Sequence, residues 1–189
     1  MKKQVNNMNL KEEQVKSDFL YDGRIIKLYN DEIRLPDGNK AYREYVKHPG
    51  GVCVVPLTEN NEVMLVRQYR YVYGKEIIEI PAGKRDGKDE NTLVGAKREL
   101  KEELGIEAEN FYFLGELYPT PGYTDEILFM YAATSLTFGE TSPDEDEFVE
   151  SEKIHIDTLV SMIMDGEIKD AKTVAAVLKT KKLLDEGKI

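Results

Sequence analysis

The chain has 189 residues, of which 41% are hydrophobic, 9% aromatic and 33% charged. That length suffices for one compact domain, or one domain with a small arm, and the composition is globular rather than disordered. Asp and Glu number 36 against 26 Lys and Arg, for a net charge of −10, a field that repels nucleic acid and anionic membranes and suits phosphates only if metal ions intervene.

No apolar run approaches the roughly 20 residues of a membrane span. The single cysteine, Cys53, lies in the apolar run Gly51-Val52-Cys53-Val54-Val55. It reads as a buried free thiol, and with no partner for a disulfide it points to a reducing, cytoplasmic compartment.

In chain order, residues 1–17 read as a loosely ordered polar lead-in, without the apolar stretch of a signal peptide. From Gly23 the pattern becomes strand-like. Ile25, Ile26, Leu28, Ile33 and Leu35 run up to Asp37-Gly38, a strong hairpin signal, and Ala41 to Val46 is the return strand. After Gly50-Gly51 come strands Val52 to Leu57 and Glu62 to Gln68, then a short strand Ile77 to Ile80 ending at Pro81-Ala82-Gly83. A helix follows, capped by Asn91, with Leu93, Ala96, Leu100 and Leu104 at helical spacing and Gly105 as its left-handed stop. Further strands are predicted at Phe111 to Leu117, Ile127 to Ala133 and Phe148 to Ile156. Two helices, about Ile156–Met164 and about Lys172–Leu184, flank Gly166. This order of strands, helix, strands and helices is a mixed α+β or α/β domain.

The segment from Gly83 to Ile106 concentrates the chemistry. Glu99, Glu102 and Glu103 stand at i, i+3 and i+4 on a helix and point the same way, while the apolar stripe lies on another face. Gly95, one turn before Glu99, leaves the acidic face unblocked, and Arg98 is placed to pair with Glu90. Clustered carboxylates repel one another unless a hard cation is shared, and Mg²⁺ takes oxygen ligands while keeping waters and substrate phosphates. Without more context the same helix would read as a solvated charged face.

The whole string resolves that choice. Glu90, seven residues, then Arg98-Glu99-Leu100-Lys101-Glu102-Glu103-Leu104-Gly105-Ile106 resembles the Nudix box of the Nudix hydrolase family. Six residues rather than the family's five separate Gly83 from Glu90, so Asp89 holds the nominal position by count; the reading is a one-residue insertion at the Gly87 turn. Gln68-Tyr69-Arg70, Glu79 to Gly83, Pro121 to Glu126, the acidic stretch before Phe148 and Asp170-Ala171-Lys172-Thr173 resemble the ADP-ribose pyrophosphatase branch of that family.

The resemblance implies an α/β/α sandwich with a mixed sheet and an N-terminal β-hairpin arm. Residues 1–48 would be the arm and dimerisation hairpin, and 49–189 the Nudix domain. It implies a homodimer whose site draws on both chains, and Mg²⁺, with Mn²⁺ as substitute, held by Glu99, Glu102, Glu103 and the Ala82 carbonyl. Gly83, Glu90, Arg98 and Gly105 would shape the box. Arg70 would contact phosphates, Glu79 the base or ribose, and Pro121 and Glu126 the substrate's surroundings. Glu102 is also a candidate for catalysis. The segment from Glu140 to Glu152 has seven acidic residues and no basic one; by resemblance it supplies the glutamate that takes a proton from the attacking water, with Glu147 the first candidate and Glu145 the second.

The implied reaction is hydrolysis of the ADP-ribose pyrophosphate bond. The alternatives are GDP-mannose or another nucleoside diphosphate sugar as substrate, or a non-catalytic ADP-ribose sensor on the same fold. The intact Arg98, Glu99, Glu102 and Glu103 favour the enzyme. Gly83 to Asp89 is not a P-loop, because the glycine-to-lysine spacing is one short and no Ser or Thr follows. His48 and His155 are too far apart in sequence to suggest a histidine zinc site or a Ser-His-Asp triad, and read as structural or surface residues. Tyr69, Tyr71, Tyr73 and Tyr123 lie near the motifs and are candidates to stack on an adenine.

Overall fold

A computed structural model of the chain describes residues 9–142 and 148–189. It divides into two units, one formed by residues 1–48 with 120–126 and the other by 49–119 with 127–189.

In the first unit, strands β1 (Glu13–Asp22), β2 (Lys27–Arg34) and β3 (Lys40–Lys47) form an antiparallel sheet in the order β1-β2-β3. The Asp37-Gly38 turn joins β2 to β3: Leu35 N–H donates to Asn39 C=O at 2.8 Å, and Gly38 adopts φ +88°, which favours glycine. Cross-strand rings of Phe19, Tyr29 and Tyr45 line up at 5.1 and 5.5 Å between centroids, with the Lys47 ammonium 4.4 Å above Tyr29. Residues 13–17, expected in a loose lead-in, belong to β1. Every residue of β1 is exposed, so the strand exists by backbone pairing to β2 and not by burial.

The second unit contains β4 (Gly51–Pro56), β5 (Glu62–Arg70), a 3₁₀ turn (Tyr71–Tyr73), β6 (Lys75–Glu79), β7 (Ala82–Lys84), α1 (Thr92–Leu104), β8 (Ile106–Leu117), β9 (Leu128–Phe138), β10 (Val149–His155), α2 (Ile156–Met164) and α3 (Ala171–Asp185). Among the described residues, its strands form an antiparallel sheet β10-β5-β6 and a mixed sheet β7-β4-β9-β8 in which β4 and β9 run parallel. Every residue of β4 is buried, as a strand covered on both faces requires. Val52 and Val54 pack with Ala96, Leu100 and Leu104 of α1. Cys53 and Val55 face the other way, toward Leu159 and Ile163 of α2 and Ala176 and Val177 of α3. Helices therefore cover both faces of the mixed sheet, the sandwich that the family resemblance implied. No helix among the described residues is long and apolar enough to cross a membrane.

Candidate active site

Helix α1 begins and ends where its local chemistry dictates. The Asn91 side chain accepts from Leu93 N–H at 3.0 Å and Val94 N–H at 3.3 Å, satisfying free donors of the first turn. Gly105, at φ +65°, donates its N–H to Lys101 C=O at 2.9 Å and stops the helix. With Leu93, Ala96, Leu100 and Leu104 turned to the core, the acidic face meets strand β7. That strand is held in place by pairing Ala82 with Cys53 and Gly83 with Val52 of β4.

Two carboxylates on this face are buried. Glu103 is 5% exposed, and its Oε2 accepts from Ala82 N–H at 3.0 Å. Glu99 is 8% exposed and occupies the space in front of Gly83, where an added Cβ would lie within 2.1 Å of its carboxylate. Arg98 Nη1 donates to Glu99 Oε1 at 2.8 Å and to Glu102 Oε2 at 2.9 Å, and Arg98 Nη2 donates to Lys84 C=O at 3.1 Å. Burial alone would lower the Arg98 pKa, but Glu99 and Glu102 outweigh it and raise it, so the guanidinium stays charged. Glu102, expected as a ligand or catalyst, is thus clamped by Arg98 and part-exposed.

The loop before α1 is organised by two residues. Glu90 Oε1 lies 3.6 Å from Arg98 Nε, and Glu90 Oε2 accepts from Asp86 N–H at 3.0 Å. Gly95 gives Glu90 room, since an added Cβ would sit 3.1 Å from its Oε2. Glu90 N–H also closes the turn onto Gly87 C=O at 3.2 Å, leaving Asp89 exposed. Arg85 is the organiser that the sequence did not reveal. It is buried, donates from Nη2 to Lys88 C=O and Glu90 C=O, and stacks its guanidinium 5.2 Å from the Phe129 ring. Nothing local distinguishes it from the lysines around it.

Arg70 and Glu79, at the ends of β5 and β6, form a fork: Arg70 Nε donates to Glu79 Oε1 at 2.6 Å and Nη2 to Oε2 at 2.8 Å. Glu79 is only 2% exposed, and Lys172 at the start of α3 also reaches its Oε2. Burial would push the Glu79 carboxyl up, but Arg70 and Lys172 outweigh it and hold the group below the usual carboxylate range. Arg70 in turn is pushed up by Glu79 first, then by Asp170 and Glu103, which places its charge within electrostatic reach of the box.

Of the remaining expected residues, Pro121 and Glu126 belong to the first unit. There Pro121 is exposed, and Glu126 Oε1 lies 3.4 Å from His48 Nδ1. His155 has a structural task, accepting from Asp157 N–H at 3.3 Å to cap α2. Glu145 and Glu147 lie outside the described residues. Ser142, the last described residue before them, donates its N–H to Glu102 C=O of α1 at 3.0 Å.

Among the described residues, no three His, Cys, Asp or Glu side chains converge as a preformed metal cage. What the site offers is two buried carboxylates beside a peptide segment, all hard oxygen donors. That fits a cation such as Mg²⁺, which takes few protein ligands and leaves positions for water and phosphate.

Comparison with known proteins agrees with this architecture. The NUDIX domain family matches residues 47–177. The "Methanol dehydrogenase activator" of Bacillus methanolicus is 41% identical over 168 residues, covering 88% of this chain and 90% of that protein. The "ADP-ribose pyrophosphatase" of Bacillus subtilis (strain 168) is 36% identical over 171 residues, covering 89% and 92%. A crystal structure of an "ADP compounds hydrolase" superposes with TM-score 0.83 at 20% identity, covering 96% of this chain and 99% of that one, and shares the fold. With the box helix intact and the match spanning most of its length, this chain belongs to the Nudix hydrolase family.

Proposed function

We propose that the chain hydrolyses the pyrophosphate bond of ADP-ribose with Mg²⁺, giving AMP and ribose 5-phosphate. The observation that carries this is the pair of buried carboxylates, Glu99 and Glu103, seated against Ala82 and Gly83 with Arg98 at their side. The relative named ADP-ribose pyrophosphatase supports the choice of substrate.

Glu99, Glu103 and the Ala82 carbonyl would hold the cation. Once bound, it supplies neutralisation of the pyrophosphate charge and a lower pKa for the attacking water. Arg98 offsets the negative charge of Glu99 and Glu102 and keeps the first of these beside Gly83. Arg70 offers its guanidinium to the phosphates. Glu147, or Glu145 in its place, takes the proton from water as the new P–O bond forms, and the phosphate oxygen that bridged the two halves leaves with one product. Mn²⁺ is the expected substitute metal, and the cytoplasm is the working compartment.

A panel of ADP-ribose, GDP-mannose, NADH, diadenosine polyphosphates and nucleoside triphosphates, each incubated with protein and Mg²⁺, tests this reading. AMP and ribose 5-phosphate should dominate. Preference for GDP-mannose would reassign the substrate, and binding of ADP-ribose without turnover would make the chain a sensor.

A homodimer through the first unit is part of the proposal. Strand β1 is an edge strand that exposes Val15, Phe19, Leu20 and Tyr21, an arrangement that soluble proteins normally cover. Sedimentation equilibrium should return twice the chain mass. A second reading follows from the 41% identical relative: this chain acts as the activator of a dehydrogenase. A methanol dehydrogenase assay with wild type and with E103Q tests it, and stimulation by wild type alone would join the two readings.

A further inference from the structure

The hydrolase reading leaves one buried cation without a task. Lys172 is 9% exposed; its Nζ meets Glu79 Oε2 and lies 3.1 Å from Asp170 Oδ1. A lysine is seldom buried unless paired. The bland explanation is a staple docking α3 onto the sheet, but that staple exists without it. Asp170 Oδ2 caps α3 by accepting from Thr173 N–H at 3.0 Å and Thr173 Oγ1 at 2.6 Å, and Thr173 Oγ1 accepts from Ile80 N–H at 3.0 Å. Ala176 and Val177 anchor the same helix in the core.

What Lys172 adds is charge on Glu79. The Arg70 side chain is 42% exposed and commits Nε and Nη2 to Glu79, while no hydrogen bond from Nη1 is made to another described residue. An incoming phosphate competes with Glu79 for that one guanidinium. If Arg70 alone balanced Glu79, each shift toward the ligand would leave a carboxylate buried and uncompensated, which is costly. Lys172 keeps Glu79 compensated throughout, so the fork can stay aligned while its free edge takes the anion.

We propose, on the basis of the hydrolase reading, that Lys172 is a positioning residue: acting through Glu79, it sets the Arg70 guanidinium in the orientation that receives the substrate's phosphates. The Asp170-Ala171-Lys172-Thr173 segment then has two separable duties, docking α3 through Asp170 and Thr173 and tuning Arg70 through Lys172.

A double-mutant cycle in ADP-ribose hydrolysis tests this. K172M should raise KM about tenfold with kcat changed less than about threefold, as loss of a charge-assisted contact that aligns a binding group predicts. In the R70A background the same change should cost less than about twofold, because residues acting in series are not additive. K172R should recover most of the affinity. Equal losses in both backgrounds, or K172M behaving as wild type, would overturn the proposal. If K172M melts below the assay temperature, E79Q enters the same cycle with the same expected non-additivity. Absence of turnover by wild type on the whole panel is a different result: it overturns the hydrolase reading, and this proposal with it.

Discussion

The Glu99 carboxylate fills the place where a side chain on Gly83 would stand. An ideal Cβ there would lie 2.0 Å from Glu99 Cδ and 2.1 Å from both oxygens. Strand β7 and helix α1 are thus fitted to each other through a missing side chain, and the glycine is required by a close approach, since its φ is not in the left-handed region.

G83A is therefore expected to separate stability from activity. The clash falls on the end of a flexible side chain, which can swing aside, so unfolding free energy should change by only about 1 kcal/mol. The displaced Glu99 would leave its position beside β7, and kcat should fall about 100-fold or more. Denaturant melts and steady-state kinetics on one preparation check both halves.

Removing the charge of either buried carboxylate should act on chemistry rather than folding. E99Q and E103Q keep the side-chain shape, and Glu103 can still accept from Ala82 N–H through its amide oxygen. Each should lower kcat by about two orders of magnitude or more, with melting temperatures near wild type. Mg²⁺ titration of activity should shift to higher concentration in both. Wild-type kinetics in either variant would mean that the cation sits elsewhere.

The Glu79–Lys172 pair predicts a pH-dependent stability difference. Glu79 lies below its ordinary value of 4.5, so its contribution is complete above that pH and drains away as pH falls through the depressed folded value. Burial would lower the Lys172 pKa, but Asp170 and Glu79 outweigh it and raise it above 10.5, so its contribution is complete below that pH and lost as pH rises through the raised value. K172M leaves Glu79 with Arg70 as its remaining partner and should cost about 1–2 kcal/mol on the plateau between these limits. The deficit relative to wild type should shrink once acid neutralises Glu79. Urea melts at pH 7 and pH 3.5 measure the difference.

Cys53 should be chemically silent in the native protein. It is fully buried in β4, and burial pushes its thiol up to about 12. A thiol reagent at pH 8 should label no cysteine without denaturant and one equivalent with it. Rapid native labelling would show that β4 opens locally.

Helix α1 was legible because every signal for it is local. The Asn91 cap, the stripe of Leu93, Ala96, Leu100 and Leu104 and the Gly105 stop all act within a few residues. The extent of β1 was not legible, because a strand exposed on both faces has no burial to impose a pattern and is defined by its hydrogen bonds to β2. Strand β7 escaped for a similar reason: three residues after a proline carry no periodicity, and only pairing with β4 makes them a strand. Strand β8 begins at Ile106 rather than near Phe111, because pairing with β9 overrides the weak strand preference of Glu107 and Glu109.

By itself the sequence determined the fold class, the box helix and the line of carboxylates along one of its faces, since helical periodicity follows from residue spacing alone. Tertiary structure alone decided how those charges are shared. Glu99 and Glu103 are buried against β7 while Glu102 is clamped by Arg98, and Glu90 rather than Asp89 meets that arginine. Glu79 is enclosed between Arg70 and Lys172, 93 positions further along the chain. Which charge pairs with which depends on where distant segments come to rest, and the energy of each pairing depends on how much water the fold removes around it.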